Sequence, residues 1–229
     1  MPALNNLARP LPPSSRRAAW KEFAARCAAL AVTTAMVLVI GLPTHAVAQT
    51  TDAARSTEAT PWSFTGDKTV FAVMGDGSRI HIARLRFTPA AGGAASYELQ
   101  LQHEPFTDHF LSMREFKCLA GGPEISCYVP YPYANPRTVG PGSSAAELAW
   151  LEHGLMFLHK SPAEFGAKLW NGLIFSFKVD GARLVGTPQA IDLNEIASPP
   201  RDIKRPPFGK AQRHDVPEGA RWLRRLEIE

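Results

Sequence analysis

The densest run of chemistry-bearing side chains is His103-Glu104-Pro105-Phe106-Thr107-Asp108-His109. Imidazole and carboxylate are the donor types that zinc or a similar cation takes, so His103, Glu104, Asp108 and His109 are candidate metal ligands. The run is not the His-Glu-x-x-His helix: its second histidine arrives two residues late, and Pro105 forbids a regular helix across it. We expect a solvated strand-to-strand loop, where polar residues gather, with a metal site as the alternative.

A second cluster is aromatic. Tyr128, Tyr131 and Tyr133 fall in Cys127-Tyr-Val-Pro-Tyr-Pro-Tyr. Prolines hold such a segment extended, so its rings lose little freedom on binding and suit a platform for a glycan, a peptide or another ring-bearing small molecule. The competing reading packs the same tyrosines down as a lid on one end of the fold. Ser112 with His109 or His153 would be needed for a hydrolase, but no G-x-S-x-G elbow, phosphate loop or dinucleotide fingerprint accompanies them. Arg114 and Lys117 fit an anionic ligand or an outward strand face equally. Trp170-Asn171-Gly172 reads as a tight turn with Trp170 anchored in the core.

The elements that must position these residues are strands. Thr69–Met74 is a short apolar run closed by Gly75-Asp76-Gly77-Ser78. Residues 79–88 alternate, with a phase shift at Ala83 of the kind a bulge makes. Residues 96–103 alternate with Tyr97, Leu99 and Leu101 inward, and 110–116 and 125–129 are further strands. The period then changes. Ser144 and Glu147 form a capping box ahead of a helix carrying Leu148, Leu151, Leu155 and Leu158. Ser161, Pro162 and Glu164 announce a second, short helix to about Lys168. Asp180-Gly181 divides residues 172–191 into a hairpin, and Asp192-Leu193-Asn194-Glu195 caps one helical turn before Pro199-Pro200. The fold class expected is mainly β (α+β): an antiparallel curled sheet or small barrel of about seven or eight strands with a short helical insertion.

Cys118 and Cys127 lie close together and read as a disulfide, whose loop closure stabilises the fold by about 2.5 kcal/mol. Their eight-residue spacing is unlike a redox C-x-x-C pair. The front of the chain agrees with an oxidising destination. Arg9, Arg16, Arg17, Lys21 and Arg26 precede an uncharged apolar run from Cys27 to Leu42, then Pro43 and Ala46-Val47-Ala48. We therefore expect a signal peptide over residues 1–48, cleaved before Gln49, with an uncleaved inner-membrane anchor as the alternative. Ser15-Arg16-Arg17 with Lys21 also resembles a twin-arginine export signal, although Ala19 replaces its large apolar residue.

Of 25 Lys+Arg and 21 Asp+Glu, the leader holds 5 and 1, so the mature chain carries 20 of each. A neutral mature chain gives no electrostatic footprint for nucleic acid. Organisation follows: a flexible lead-in at 49–61, a β-rich domain at 62–200 with no transmembrane span after cleavage, and a Pro-rich basic arm at 201–229.

The segments FLSMREFKC (110–118), CYVPYPY (127–133), LWNG (169–172) and DLNEIASPP (192–200) resemble an uncharacterised family of exported bacterial proteins. That resemblance implies export and one domain, and carries no activity and no site residues. In size and strand content the chain is similar to lipocalin-type architecture, an analogy of fold alone. The expectation for function is a periplasmic or secreted, non-catalytic binding or envelope-associated protein without a cofactor. Its alternative is a metal-dependent or hydrolytic periplasmic enzyme using the His103–His109 cluster.

Overall fold

A computed structural model describes residues 61–111, 114–164, 166 and 170–229. The expected leader and nearly all of the lead-in lie outside the described residues. The strands are β1 (Gly66–Met74), β2 (Arg79–Pro89), β3 (Ala95–Leu101), β4 (Thr107–Leu111), β5 (Arg114–Gly121) and β6 (Glu124–Tyr128). After β7 (Thr138–Val139) and helix α1 (Ala145–Gly154) come β8 (Phe157–Lys160), β9 (Gly172–Asp180), β10 (Arg183–Ile191), β11 (His214–Asp215) and β12 (Leu223–Ile228). They make one antiparallel sheet of 12 strands in the order β4-β5-β6-β8-β9-β10-β12-β1-β2-β3-β7, with β11 beside β10. The mainly β, curled-sheet class is therefore the observed one. The strand number exceeds the expected seven or eight because three strands have four or fewer residues and the single strand expected over 110–116 is divided between β4 and β5, which pair with each other.

Two observations make the sheet curl. Strands β3 and β4 stand near its opposite ends, yet residues 102–106 join them, and five residues span at most about 18 Å. Trp222, just before β12, lies against the turn after β1 and the turn after β5. A Cβ added to Gly75 or Gly122 would come 2.5 or 2.6 Å from the indole, so only glycine fits beneath it at either turn.

The β2 alternation slips where it was expected to. Val70 pairs with Ala83 and Phe71 with His81, leaving Ile82 as the extra bulge residue, and both Ile82 and Ala83 are buried. The β9–β10 hairpin turns one residue later than read. Asp180 pairs with Arg183, and Gly181 takes the turn position with φ of +61°, which a side chain would strain.

The concave face holds the main core: Val70, Leu85, Phe87, Tyr97, Leu119, Phe157, Leu173, Phe175, Phe177 and Leu226, closed by Leu148, Leu151 and Leu155 of α1 and its end. The capping box forms as expected, with Ser144 and Glu147 serving each other's backbone. Alternate residues of β5, β6, β8 and β9 enter a second core instead. Cys118, Cys127, Leu158 and Ile174 meet Tyr131, Ile191, Leu193, Ile196 and Phe208. These strands are buried on both faces, which is why β9 begins with four consecutive buried residues. Cys118 and Cys127 form a cross-strand disulfide, opposite each other in the β5–β6 register with Cα atoms 3.9 Å apart.

Residues 201–229 differ most from expectation. They are not an arm beyond the domain: β12 sits mid-sheet between β10 and β1. Around Ser161 and Glu164 the described residues form a turn in which Ser161 N–H donates to Glu164 Oε2 at 2.8 Å, and the rest of the expected second helix lies outside the described residues. The expected turn at Asp192 is present as a 3₁₀ turn, Leu193–Ile196, capped by the Asp192 side chain.

Candidate functional site

The expected metal cluster straddles a loop and a strand. His103 and Glu104 are exposed ahead of β4, whereas Asp108 and His109 are consecutive β4 residues and so face opposite sides. Asp108 is engaged by Lys117 Nζ at 2.5 Å, which holds its carboxyl below the usual carboxylate range. Among the described residues, no three His, Cys, Asp or Glu side chains are grouped to hold a metal ion. Ser112 lies outside the described residues.

The three tyrosines are packed down. Tyr128 donates to Gly154 O at 2.9 Å and Tyr133 donates to Ile196 O at 3.1 Å. The Tyr131 ring is 8% exposed and meets Tyr133, Trp150 and His153. Burial pushes the Tyr128 hydroxyl up to about 12. This is the lid arrangement, with the hydroxyls of Tyr128 and Tyr133 already taken by backbone carbonyls. Trp170 was expected in the core and is instead 60% exposed.

His153 is structural. Its Nδ1 lies 2.6 Å from Ala149 O and donates to it, and its Nε2 accepts from Phe208 N–H at 3.1 Å. With both ring nitrogens committed to backbone and burial pushing it down to about 4, it has no nitrogen left to serve a serine.

A different constellation gathers at the mouth of the curl. A cleft of about 630 Å³ is lined by Glu124, His159, Ser161, Asn171, Arg221, Trp222 and Arg224, among others. Five parts of the fold build it: the start of β6, the end of β8, the turn after β8, the residue before β9, and the approach to β12. Arg221 Nη1 donates to Glu124 Oε1 at 2.5 Å and to His159 Nδ1 at 2.7 Å. Glu124 Oε2 accepts from Trp222 N–H at 2.6 Å, so one carboxylate binds both the side chain of Arg221 and the backbone after it. His159 N–H donates to Asn171 O at 2.9 Å, setting Asn171 beside the histidine.

Burial and then the adjacent Arg221 charge hold His159 below the ordinary imidazole range, against the pull of Glu124 and Glu164. The ring is therefore neutral near pH 7, in keeping with an Nδ1 that accepts from a guanidinium. The cleft thus presents fixed guanidinium, imidazole, hydroxyl and amide groups beside an indole. Its size matches small-molecule sites, which combine an apolar wall with a few placed polar groups.

Glu124, His159, Arg221, Trp222 and Arg224 were not singled out from the sequence, and Ser161 and Asn171 were read only as helix-start and turn residues. Glu124, His159 and Arg221 lie in three distant segments, and 221–224 fell within the expected arm. The usable signal was the polar His159-Lys160 pair ending the apolar run Leu155–Leu158. No protein-family model, curated protein or solved structure matches this chain.

Proposed function

We propose that the protein is an exported, non-catalytic binding module that takes a small polar ligand in the Glu124–His159–Arg221–Trp222 cleft. The observation that carries this reading is the convergence of four separate segments, around 124, 159–164, 171 and 219–224, on a preformed polar cleft in which Arg221 is locked by Glu124 and His159. Preformed donors lose little entropy on binding. Export is supported by the leader-like residues 1–48 and by a disulfide, which persists in oxidising compartments. Among the described residues no helix is long and apolar enough to cross a membrane.

The packed tyrosine loop recedes as a contact surface in this reading, since its polar atoms face inward. The experiment is nuclear magnetic resonance mapping of the isotope-labelled protein against a panel of sugars, amino acids, small carboxylates and short peptides. Shifts clustered on Glu124, His159, Asn171 and Arg221, with the compound recovered unchanged, are the expected result. Shifts clustered on Tyr128–Tyr133, turnover of the compound, or no shift with any member overturns the proposal.

A further inference from the structure

The guanidinium groups at the cleft point to the class of ligand. Arg221 spends Nη1 on Glu124 and His159, and among the described residues its Nε and Nη2 have no hydrogen-bond partner. Arg224, three residues on, lines the same cleft, is exposed, and has no ion pair or hydrogen bond among the described residues. The same cleft is lined by groups that exchange hydrogen bonds with hydroxyls, the Ser161 hydroxyl, the Asn171 amide and the Glu164 carboxylate. Pro123, Ala220 and Trp222 supply an apolar side.

A guanidinium edge with two free N–H groups matches a carboxylate in a bidentate fork. Hydroxyl-exchanging groups and an apolar wall suit the polar rim and C–H face of a sugar ring. Together they fit a molecule that joins both chemistries. Resting on the binding reading above, we infer that the cleft takes an acidic sugar, a pyranose bearing a carboxylate, with Arg221 and Arg224 holding the acid and Asn171 and Ser161 its hydroxyls. The volume of about 630 Å³ holds one or two such rings.

The test is calorimetric titration of the purified protein with galacturonic acid, a short oligogalacturonate, the matching neutral galactose oligomer, and inorganic phosphate as a bare anion. Galacturonate in either form is expected to bind more tightly than the neutral sugar by on the order of tenfold or more, the factor a charge-assisted hydrogen bond supplies. Oligomer binding far above monomer binding would assign the source to a polymer, and equal binding to a free sugar acid.

Arg224→Gln is expected to remove most of the preference for acid over neutral sugar without changing the melting temperature, because Arg224 is exposed and anchors nothing. Equal binding of acidic and neutral sugars would overturn the acid assignment and leave the cleft as a binding site. Phosphate binding as tightly as galacturonate would overturn the sugar half. Failure of all four probes would overturn this inference, and the broader reading would then stand or fall on the mapping with the other compound classes.

Discussion

Tyr131 combines a ring buried in the second core with a hydroxyl that has no hydrogen-bond partner among the described residues. A buried unpaired hydroxyl costs stability, whereas the ring around it contributes. Tyr131→Phe is therefore expected to leave stability unchanged or raise it by about 1 kcal/mol. Tyr131→Ala should lose about 3–5 kcal/mol, as large-to-small changes in aromatic cores do. Urea denaturation of both variants checks this, and an alanine variant as stable as the wild type would return the ring to the surface role first expected. At this scale the sequence reading succeeded where the partner is local. Ser144 finds Glu147 three residues on, and Asp192 finds the N–H of Asn194 two residues on. It failed where the partner is remote: Tyr133 is claimed by Ile196 and Glu124 by Arg221, and no spacing along the chain announces either.

Between elements, the joint that matters most fastens α1 to the segment before β11. Phe208 is buried, stacks on His153 with ring planes 18° apart, and donates its N–H to Nε2 of that ring. Arg213 reinforces the joint, donating from Nε to Phe208 O and placing Nη1 2.6 Å from Glu152 Oε2, while Glu152 Oε1 accepts from Phe177 N–H of β9. Protonating His153 turns Nε2 into a donor facing a donor. Its folded value of about 4 lies below the ordinary 6.5, so this contribution is complete above about pH 6.5 and is lost as pH falls toward 4. The shift corresponds to about 3 kcal/mol. Glu152 acts in the opposite sense, because burial outweighs Arg213 and raises it, so its protonation relieves the fold as pH falls. Urea midpoints across the window for wild type and His153→Gln separate the two groups. The variant should lose about 3 kcal/mol less between neutrality and pH 4, and parallel curves would remove His153 as the titrating group. The elements read well in sequence were those with an unbroken period, such as β3, or a turn signal between two strand-like runs, such as the β9–β10 pair. Strand β12 was hidden by a bulge: Met74 pairs with Leu223 and Val73 with Arg225, so Arg224 is an extra residue that spoils the alternation of Leu223, Leu226 and Ile228.

At the scale of the molecule, that hidden strand decides whether there is one sheet or two. On one side of β12 stand β1, β2, β3 and β7, and on the other β10, β9, β8, β6, β5 and β4. Strand β12 pairs with β1 from Val70–Ile228 to Met74–Leu223 and with β10 from Leu184–Ile228 to Gly186–Leu226. Leu223, Leu226 and Ile228 are fully buried beneath it. The last described residues thus tie β10 to β1, and the β1–β12 contacts, so distant in sequence, close late and slowly. A chain ending at Pro200 would leave two long hydrogen-bonding edges facing a gap and would lose Phe208 from the second core. We expect it to show no cooperative transition in urea or on heating, where the full chain shows one, and to bind an exposed-surface dye. A single transition of full-length steepness in the truncated chain would mean that β1 and β10 pair without β12. The same cut removes Arg221, Trp222 and Arg224, so the cleft exists only once the final strand has docked. In this protein the site is a consequence of completing the sheet, which is why neither could be read from any one stretch of the chain.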